Sequence, residues 1–598
     1  MSNRRARLVI GLDFGTTFSG VAYSDRVGEQ GSVSDIHLVQ GWPGVNMVSN
    51  NEKVPSRIAY LPPNRAHPGG EILWGNKIKH TTKAPVHACM KLKLDDTEGS
   101  SRELRGLMAM LASRIGDMGM DDPDDIFAAE EDEGLPPYPG KTTVEIVGDY
   151  LAQVREVAFA EISKRYGRAM FSSMRRDLVV TVPAVWSERA KDLTLQAVAK
   201  AEWDAAKVSL VTEPEAAAIY TLLHMREGPS KEEVQVGDIF VLCDAGGGTV
   251  DLISYKITQV SPTFLIEEAA VGSGDKCGAT FVDQEFLGWL EQWIGSERFK
   301  NIPPEKRRHG SPMMNSFEVN KLQFSGDDDE MSIALPSETG LRDDEDLQIE
   351  DGSVSLTNAQ MKQLFNPCVT RAVELIDGQL VLVVGGFGRN QYLYRKIDEY
   401  CQGRGIQTRR PGFPWSAVAR GAVCRGLEGA EGGPVSVRLS RKFYGTPLSI
   451  PFIPGVHRSQ DAYTDRFTGD RMARGQMNWM VKKAERLPEN NPKVISIGVH
   501  RHFGYSDARK LDAFLCGCTE DVAPTRRAHD DIQIVCRVTA DFSDIPVSYF
   551  PRMKNKKTGK EYFEVDFELE ARFQGGELTW RLMWEDKEWG STTVSYDE

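Results

Sequence analysis

Gly11-Leu-Asp-Phe-Gly-Thr-Thr17 and Cys243-Asp-Ala-Gly-Gly-Gly-Thr249 follow one plan. Each comes at the end of a short apolar run, Leu8-Val-Ile-Gly-Leu12 in the first and Ile239-Phe-Val-Leu-Cys243 in the second, and each run gives way to an aspartate. Apolar runs of this length between turn signals read as buried strands. Returning strands follow at Val21-Ala-Tyr23 and at 252–257. Strand, carboxylate, glycine- and threonine-rich turn, returning strand: the repetition indicates a duplicated domain with a cleft between its copies.

The chemistry of the two turns is shared as well. A turn with little side-chain bulk lets backbone N–H groups close around phosphate oxygens. Gly15-Thr16-Thr17 and Gly246-Gly247-Gly248-Thr249 both offer this and add hydroxyl donors. Asp13 and Asp244, facing each other across a cleft, would hold hydrated Mg²⁺, an ion that keeps several of its waters. One such loop is weak evidence, because glycine turns are common. Two copies, each with its aspartate, point to a magnesium–phosphate site.

Around these motifs the first half reads as a strand at 54–60, an acidic solvated insertion at 95–140, a long helix at 142–166 and a buried strand at 178–182. A helix at 187–201 with Ser187 as N-cap, a strand at 208–211 and a helix from Glu213 complete it, and 228–237 is a polar linker. In the second half 283–325 reads as helical and 326–352 as an exposed acidic excursion. Leu380-Val-Leu-Val-Val384 is a strand ending in Gly385-Gly386, and 415–426 is a closing helix. The last third changes character. Ile532, Ile534, Cys536, Val538, Ala540 and Phe542 alternate, as do Phe563, Val565, Phe567, Leu569, Ala571 and Phe573. After Gly575-Gly576 the alternation resumes at Leu578, Trp580, Leu582 and Trp584. A period of two over such lengths means antiparallel strands with one buried face, and the glycine pair marks a hairpin.

The chain has 598 residues, too many for one core at roughly 100–200 residues per domain. The expected organisation is a lobe at 1–230, a second lobe at 231–434 and a β-rich domain at 435–598. The net charge of −14 speaks against nucleic acid and anionic membranes as general partners. A small polyanion remains compatible, since one site can be locally positive. No apolar run reaches the roughly 20 residues of a membrane span, and the N-terminus lacks the apolar core of a signal peptide. The nine cysteines are scattered and odd in number. They read as free, mostly buried thiols of a reducing compartment, cytoplasmic or nuclear.

Five segments, in order, resemble those of Hsp70 chaperones. Gly11-Leu-Asp-Phe-Gly-Thr-Thr-Phe-Ser19 resembles their first phosphate loop, and Leu242-Cys-Asp-Ala-Gly-Gly-Gly-Thr-Val-Asp251 their second. Thr212-Glu-Pro-Glu-Ala-Ala-Ala-Ile-Tyr220 resembles their connecting segment, Phe317-Glu-Val-Asn-Lys-Leu-Gln-Phe-Ser325 the helix over adenine, and Val384-Gly-Gly-Phe-Gly-Arg389 the adenosine motif. The match covers about residues 7–430. The divergence elsewhere is similar to that of the atypical Hsp70 branch, which has divergent vertebrate members and many fungal ones.

The resemblance implies two actin-like, ribonuclease H-like α/β lobes around ATP or ADP, with the β-rich domain as a reduced substrate-binding domain. It implies that Asp13 and Asp244 hold Mg²⁺ through water. Thr16, Thr17 and Thr249 would contact phosphates beside Gly15, Gly246, Gly247, Gly248 and Gly278. Lys91, with Lys93 as a near rival, would orient the attacking water, and Glu213 and Asp251 would complete the polar shell. Gly385, Gly386 and Arg389 would hold the ribose and adenine face, and Glu318, Lys321 and Ser325 the base pocket. The implied reaction is in-line attack of water on the γ-phosphate, coupled to a protein partner, a client polypeptide or co-chaperones. Two rivals remain at this stage: a nucleotide-dependent scaffold without hydrolysis, and a metabolite kinase, whose sugar-binding Asp/Asn/Arg set is not found.

The sequence departs from the family in several places. Leu322 and Phe387 stand where the family has an arginine and a small hydroxyl residue near the base. Trp415 stands where an acidic residue is usual. Val435-Ser-Val-Arg-Leu439 replaces the acidic–leucine linker, and neither a helical lid nor a terminal EEVD follows the β-rich domain. That domain could bind extended polypeptide at a sheet edge or apolar groove. Alternatively, Trp580 and Trp584 are simply core.

Overall fold

The computed structural model describes residues 7–590, apart from 26–32, 45–51, 64–66, 69, 80–81, 83, 96–139, 184–185, 187, 228–234, 261–263, 276, 308–309, 329, 377–379, 428–434, 489–492 and 575–576. Most of the acidic insertion, much of the linker at 228–237 and the Gly575-Gly576 turn lie outside the described residues. The chain divides into two compact units, with the break at Pro434 and Val435 and residues 187–189 grouped with the second.

The first unit contains two sheets of the same topology. In one, Arg7–Phe14 pairs antiparallel with Phe18–Ser24 and parallel with Arg175–Val182, which pairs parallel with Lys207–Thr212. In the other, Ile239–Ala245 pairs antiparallel with Val250–Gln259 and parallel with Leu380–Val384, which pairs parallel with Gln407–Arg409. Each hairpin continues into one more antiparallel strand, His37–Leu38 in the first case and Leu265–Asp275 in the second. The central strands are mostly apolar, with their charged residues near the ends, because helices cover the sheet faces. Leu8, Ile10 and Leu12 enter one core with Tyr150, Leu151 and Val154 of the helix Thr143–Tyr166. Thr142 and Glu145 cap that helix reciprocally. Val241, Cys243 and Val383 enter a second core with Phe286, Leu290, Phe317 and Phe365.

The closing helix Ala417–Leu427 belongs to the second half by sequence, yet it packs on Arg7–Phe14 and on the helix Glu213–Glu227. Two glycines permit this. A β-carbon at Gly421 would lie 1.7 Å from the carbonyl oxygen of Ala216, and one at Gly11 would lie 2.5 Å from that of Ala419. Backbones in such contact leave no room for a side chain.

Residues 326–352 differ from the expected exposed excursion. Glu330–Ala334, Ile349–Glu350 and Ser353–Thr357 form a small antiparallel sheet. Met331, Ile333, Ile349 and Val354 are buried in the second core. The acidic residues of this segment hid an alternation that supplies one apolar face.

The second unit holds two sheets. One runs Ala462–Thr464, Arg471–Val481, Phe443–Pro451, Lys510–Cys518, Gln533–Asp541, and the other Lys493–Phe503, Glu561–Gln574, Glu577–Trp584, Lys587–Gly590. Leu515, Val538 and Phe542 from the first and Val565, Leu569, Trp580 and Leu582 from the second share one core. Trp580 is fully buried and Trp584 is 9% exposed, so both are core side chains. All nine cysteines are free and buried. Among the described residues no helix is long and apolar enough to cross a membrane.

Candidate functional site

Asp13 is delivered near the end of the first central strand, where it is 3% exposed. Thr181 Oγ1, on the adjacent parallel strand, donates to Asp13 Oδ1 at 3.3 Å, and Lys53 Nζ donates to Oδ2 at 2.6 Å. In the other hairpin Asp244 and Asp251 are direct cross-strand partners. Thr249 Oγ1 donates to Asp251 Oδ2 at 2.8 Å, and the Gly246 N–H closes the turn on Thr249 O at 2.9 Å.

The two turns face each other. A β-carbon on Gly247 would come 2.7 Å from Thr17 Oγ1. Behind the second turn, the Ala279 and Thr280 amides donate to the carbonyls of Gly246 and Gly247 at 3.1 and 2.9 Å. This hangs the turn on the start of the helix Ala279–Ile294. Gly278 is part of that attachment, since a β-carbon there would lie 2.6 Å from Gly247 O. Gly385, at a φ of +87°, lies against the first aspartate of the second turn; a β-carbon would lie 2.4 Å from Asp244 Oδ1. Both the conformation and the space there require glycine.

The electrostatics join the halves. The Asp244 carboxyl is pushed up to about 8, first by burial and then by the Glu213 and Asp251 carboxylates; Asp13 adds to this and Lys53 opposes it. Glu213, Asp13 and Lys53 belong to the first half and Asp251 to the second, so charges from both halves act on Asp244. Lys91 is 2% exposed, ion-pairs with Glu213 and stands over the Trp186 ring at 5.3 Å. Lys93, its rival by sequence, is exposed. Four carboxylates therefore meet two lysines. Among the described residues no cluster of His, Cys, Asp or Glu side chains forms a ready metal cage, so a divalent cation here would be held through its waters, as the surplus of negative charge allows.

The residues expected at the base are mostly engaged with one another. Lys321 is buried and bonds Asp283 at 2.7 Å and Glu318 at 2.5 Å, and these carboxylates raise its ammonium above the usual lysine range. Ser325 caps a turn through Asp328, with both its N–H and Oγ donating at 2.8 Å. Leu322 is exposed, and Phe387 is buried in the core, 6.0 Å from the Phe365 ring. Trp415 fills the space beside Gly386: a β-carbon on that glycine would lie 3.2 Å from its Nε1. The Arg389 guanidinium stacks over the indole at 5.3 Å, and Phe18 meets it edge-on at 5.6 Å. The indole thus touches the residue after Thr17 on one side and the Gly385–Arg389 turn on the other.

Sequence reasoning missed three participants. Lys53 precedes a two-residue strand and carries no motif. Trp186 and Asp283 carry no motif either.

The chain is also similar in sequence to known proteins. No family model matches the chain. It is 24% identical over 530 residues to Heat shock 70 kDa protein 12A of Homo sapiens, a match covering 75% of this chain and 73% of that protein. With Heat shock 70 kDa protein 12B of Homo sapiens it shares 24% over 531 residues, 75% of this chain and 72% of that one. With the Chaperone protein HscA homolog of Haemophilus influenzae it shares 24% over 414 residues, 66% of this chain and 54% of that one.

Proposed function

We propose that this chain, a divergent member of the Hsp70 superfamily, binds ATP and ADP between its two hairpin turns, hydrolyses ATP slowly and passes the nucleotide state to a protein partner. The observation that carries this reading is the convergence on Asp244 of charges from both halves, beside the contact of the two turns at Thr17 and Gly247. A triphosphate placed there would meet two glycine turns with their threonine hydroxyls. Asp13 and Asp244 would hold magnesium through its waters, and the bound ion would neutralise charge on the phosphate oxygens.

The residues of the chain would supply position. The buried Lys91 and its half-buried partner Glu213 would fix a water in line with the terminal phosphate, with Glu213 accepting from it. Thr249 is held by Asp251 and would keep its oxygen aimed at the phosphates. Arg389 and Trp415 would form one wall of the nucleoside pocket. With Leu322 and Phe387 in place of polar contacts, base selectivity would rest on shape more than on hydrogen bonds.

The test is calorimetry with ATP, ADP and GTP on the full chain, followed by single-turnover phosphate release. ATP and ADP should bind. Lys91→Ala and Glu213→Ala should each slow release by about a hundredfold while leaving ADP affinity within about threefold. Unchanged release in both variants removes the catalytic roles. Absence of any nucleotide binding removes the whole reading. Binding without release in the wild type leaves the second reading, a nucleotide-dependent scaffold. That reading is favoured by one observation: the Lys53–Asp13 pair neutralises one of the two magnesium-facing aspartates.

A further inference from the structure

Lys53 does not belong to any motif of the site, yet its ammonium lies 2.6 Å from Asp13 Oδ2 with only 10% and 4% of the two side chains exposed. Three features show that it is built in. Its neighbours Val54 and Pro55 pair with Ser19 and Phe18, directly after the first turn. The Ser56 N–H donates to Thr17 O at 2.8 Å, and Ser56 and Ser19 share a hydrogen bond of 2.8 Å between their hydroxyls. Its stem lies over Gly20, where a β-carbon would come 3.0 Å from Lys53 Cγ. The segment that carries the lysine is thus stitched to the first turn, and a glycine leaves the path open for its side chain. Lys53 also acts on Asp244, the aspartate of the opposite turn.

We propose that Lys53 is a resident counter-ion of the nucleotide site, which takes over part of the charge neutralisation otherwise left to magnesium, so that this chain binds ADP and ATP with little dependence on a divalent cation. The inference rests on the nucleotide reading above. An ammonium has three donors, and one is spent on Asp13. Among the described residues Asp13 is its one recorded acceptor, so the other two could reach oxygens of a polyphosphate lying in the turn. As a compact point charge on a flexible stem, lysine suits this role. With Asp13 paired, one of the two aspartates that would hold magnesium is already neutralised, which lowers what the ion adds to binding.

The experiment is calorimetric titration of ADP into the full chain, in excess Mg²⁺ and in EDTA, for the wild type and Lys53→Met. The wild-type dissociation constant should change by less than about threefold between the two conditions. In Lys53→Met, removal of magnesium should weaken ADP binding by about tenfold or more, as expected for the loss of a charge-assisted bond to phosphate. Lys53→Gln replaces Lys53→Met if the latter does not match the wild-type unfolding midpoint. A wild type that loses tenfold or more in EDTA overturns the inference and leaves the nucleotide reading intact. So does a Lys53→Met protein whose magnesium dependence equals that of the wild type. Failure of the wild type to bind ADP in either condition overturns both.

Discussion

Gly247 and Thr17 meet across the cleft at a separation that admits no methyl group: a β-carbon on the glycine would stand 2.7 Å from the threonine hydroxyl and 3.1 Å from its methyl. The two turns are therefore spaced by the absence of a side chain at one position. That spacing is what a phosphate chain would sense from both walls.

Gly247→Ala should push the turns apart by a few tenths of an ångström. The neighbour is the short end of a threonine side chain, so the fold can give way and the unfolding midpoint should shift little. Nucleotide affinity should fall by about tenfold, or some 1.4 kcal/mol, because N–H and hydroxyl donors are displaced together. Calorimetry with ADP, beside a thermal melt of the same protein, reads both. A large loss of midpoint with unchanged affinity would place Gly247 among the folding glycines.

Gly421 is the opposite case. A β-carbon there would lie 1.7 Å from the carbonyl oxygen of Ala216, and that contact is backbone. Neither the helix Ala417–Leu427 nor the helix Glu213–Glu227 can yield by a rotamer change. Gly421→Ala should destabilise the first unit by about 3 kcal/mol or more, at the upper end of overpacking costs. Gly288, in the helix Ala279–Ile294, is the internal control, since among the described residues nothing beyond its own helix backbone lies within 4 Å of its β-carbon. Gly288→Ala should stabilise by about 0.5–1 kcal/mol. Urea unfolding of the two variants side by side should move the midpoint in opposite directions.

His87 gives the first unit an acid-sensitive point. It sits in the strand Val86–Ala88, edge-on to Tyr60 at 5.7 Å. Burial, then the Lys93 charge, lowers its imidazole from 6.5 to about 4. A folded-state value below the unfolded one means that the folded protein binds fewer protons. The stability from the neutral ring is therefore complete above about pH 6.5 and is lost as the pH falls toward about 4. His87→Leu removes that dependence. Across this window the unfolding midpoint of the wild type should fall more steeply than that of the variant, and the two should run parallel above pH 7. Parallel behaviour throughout would show that His87 is not desolvated.

Much of the cleft was legible in the sequence because its determinants are local. A strand ending in Asp13 or Asp244 and a turn of glycines and threonines each occupy a few consecutive residues. The structure adds the register that makes the halves equivalent. What could not be read depends on contacts distant in sequence. Lys53 reaches Asp13 across 40 residues, and Trp415 reaches Phe18 across the whole first unit. The burial of Lys321 follows from Asp283, whose pairing no periodicity announces. The small sheet at 330–357 was hidden by its charge, since alternation among acidic residues looks like a solvated loop until Met331, Ile333 and Ile349 are seen to share one face.

Trp580 tests which role the tryptophans of the β-rich unit serve. Its indole is fully buried, aligned with Ala571 in the register between Glu561–Gln574 and Glu577–Trp584. Among the described residues its buried Nε1 has no hydrogen-bond partner. Each fact fixes one substitution. Trp580→Phe keeps most of the apolar volume and removes an unsatisfied donor, so the gain from the second change should offset much of the first. Stability should change by less than about 1.5 kcal/mol, within the range of near-isosteric core exchange. Trp580→Ala leaves a cavity that the sheet cannot close and should cost about 3–5 kcal/mol. Urea unfolding of the full chain, followed by near-ultraviolet circular dichroism, separates the two. If Trp580→Ala unfolds like the wild type but changes binding of an unfolded peptide, the side chain is a ligand contact and its burial in the core is refuted.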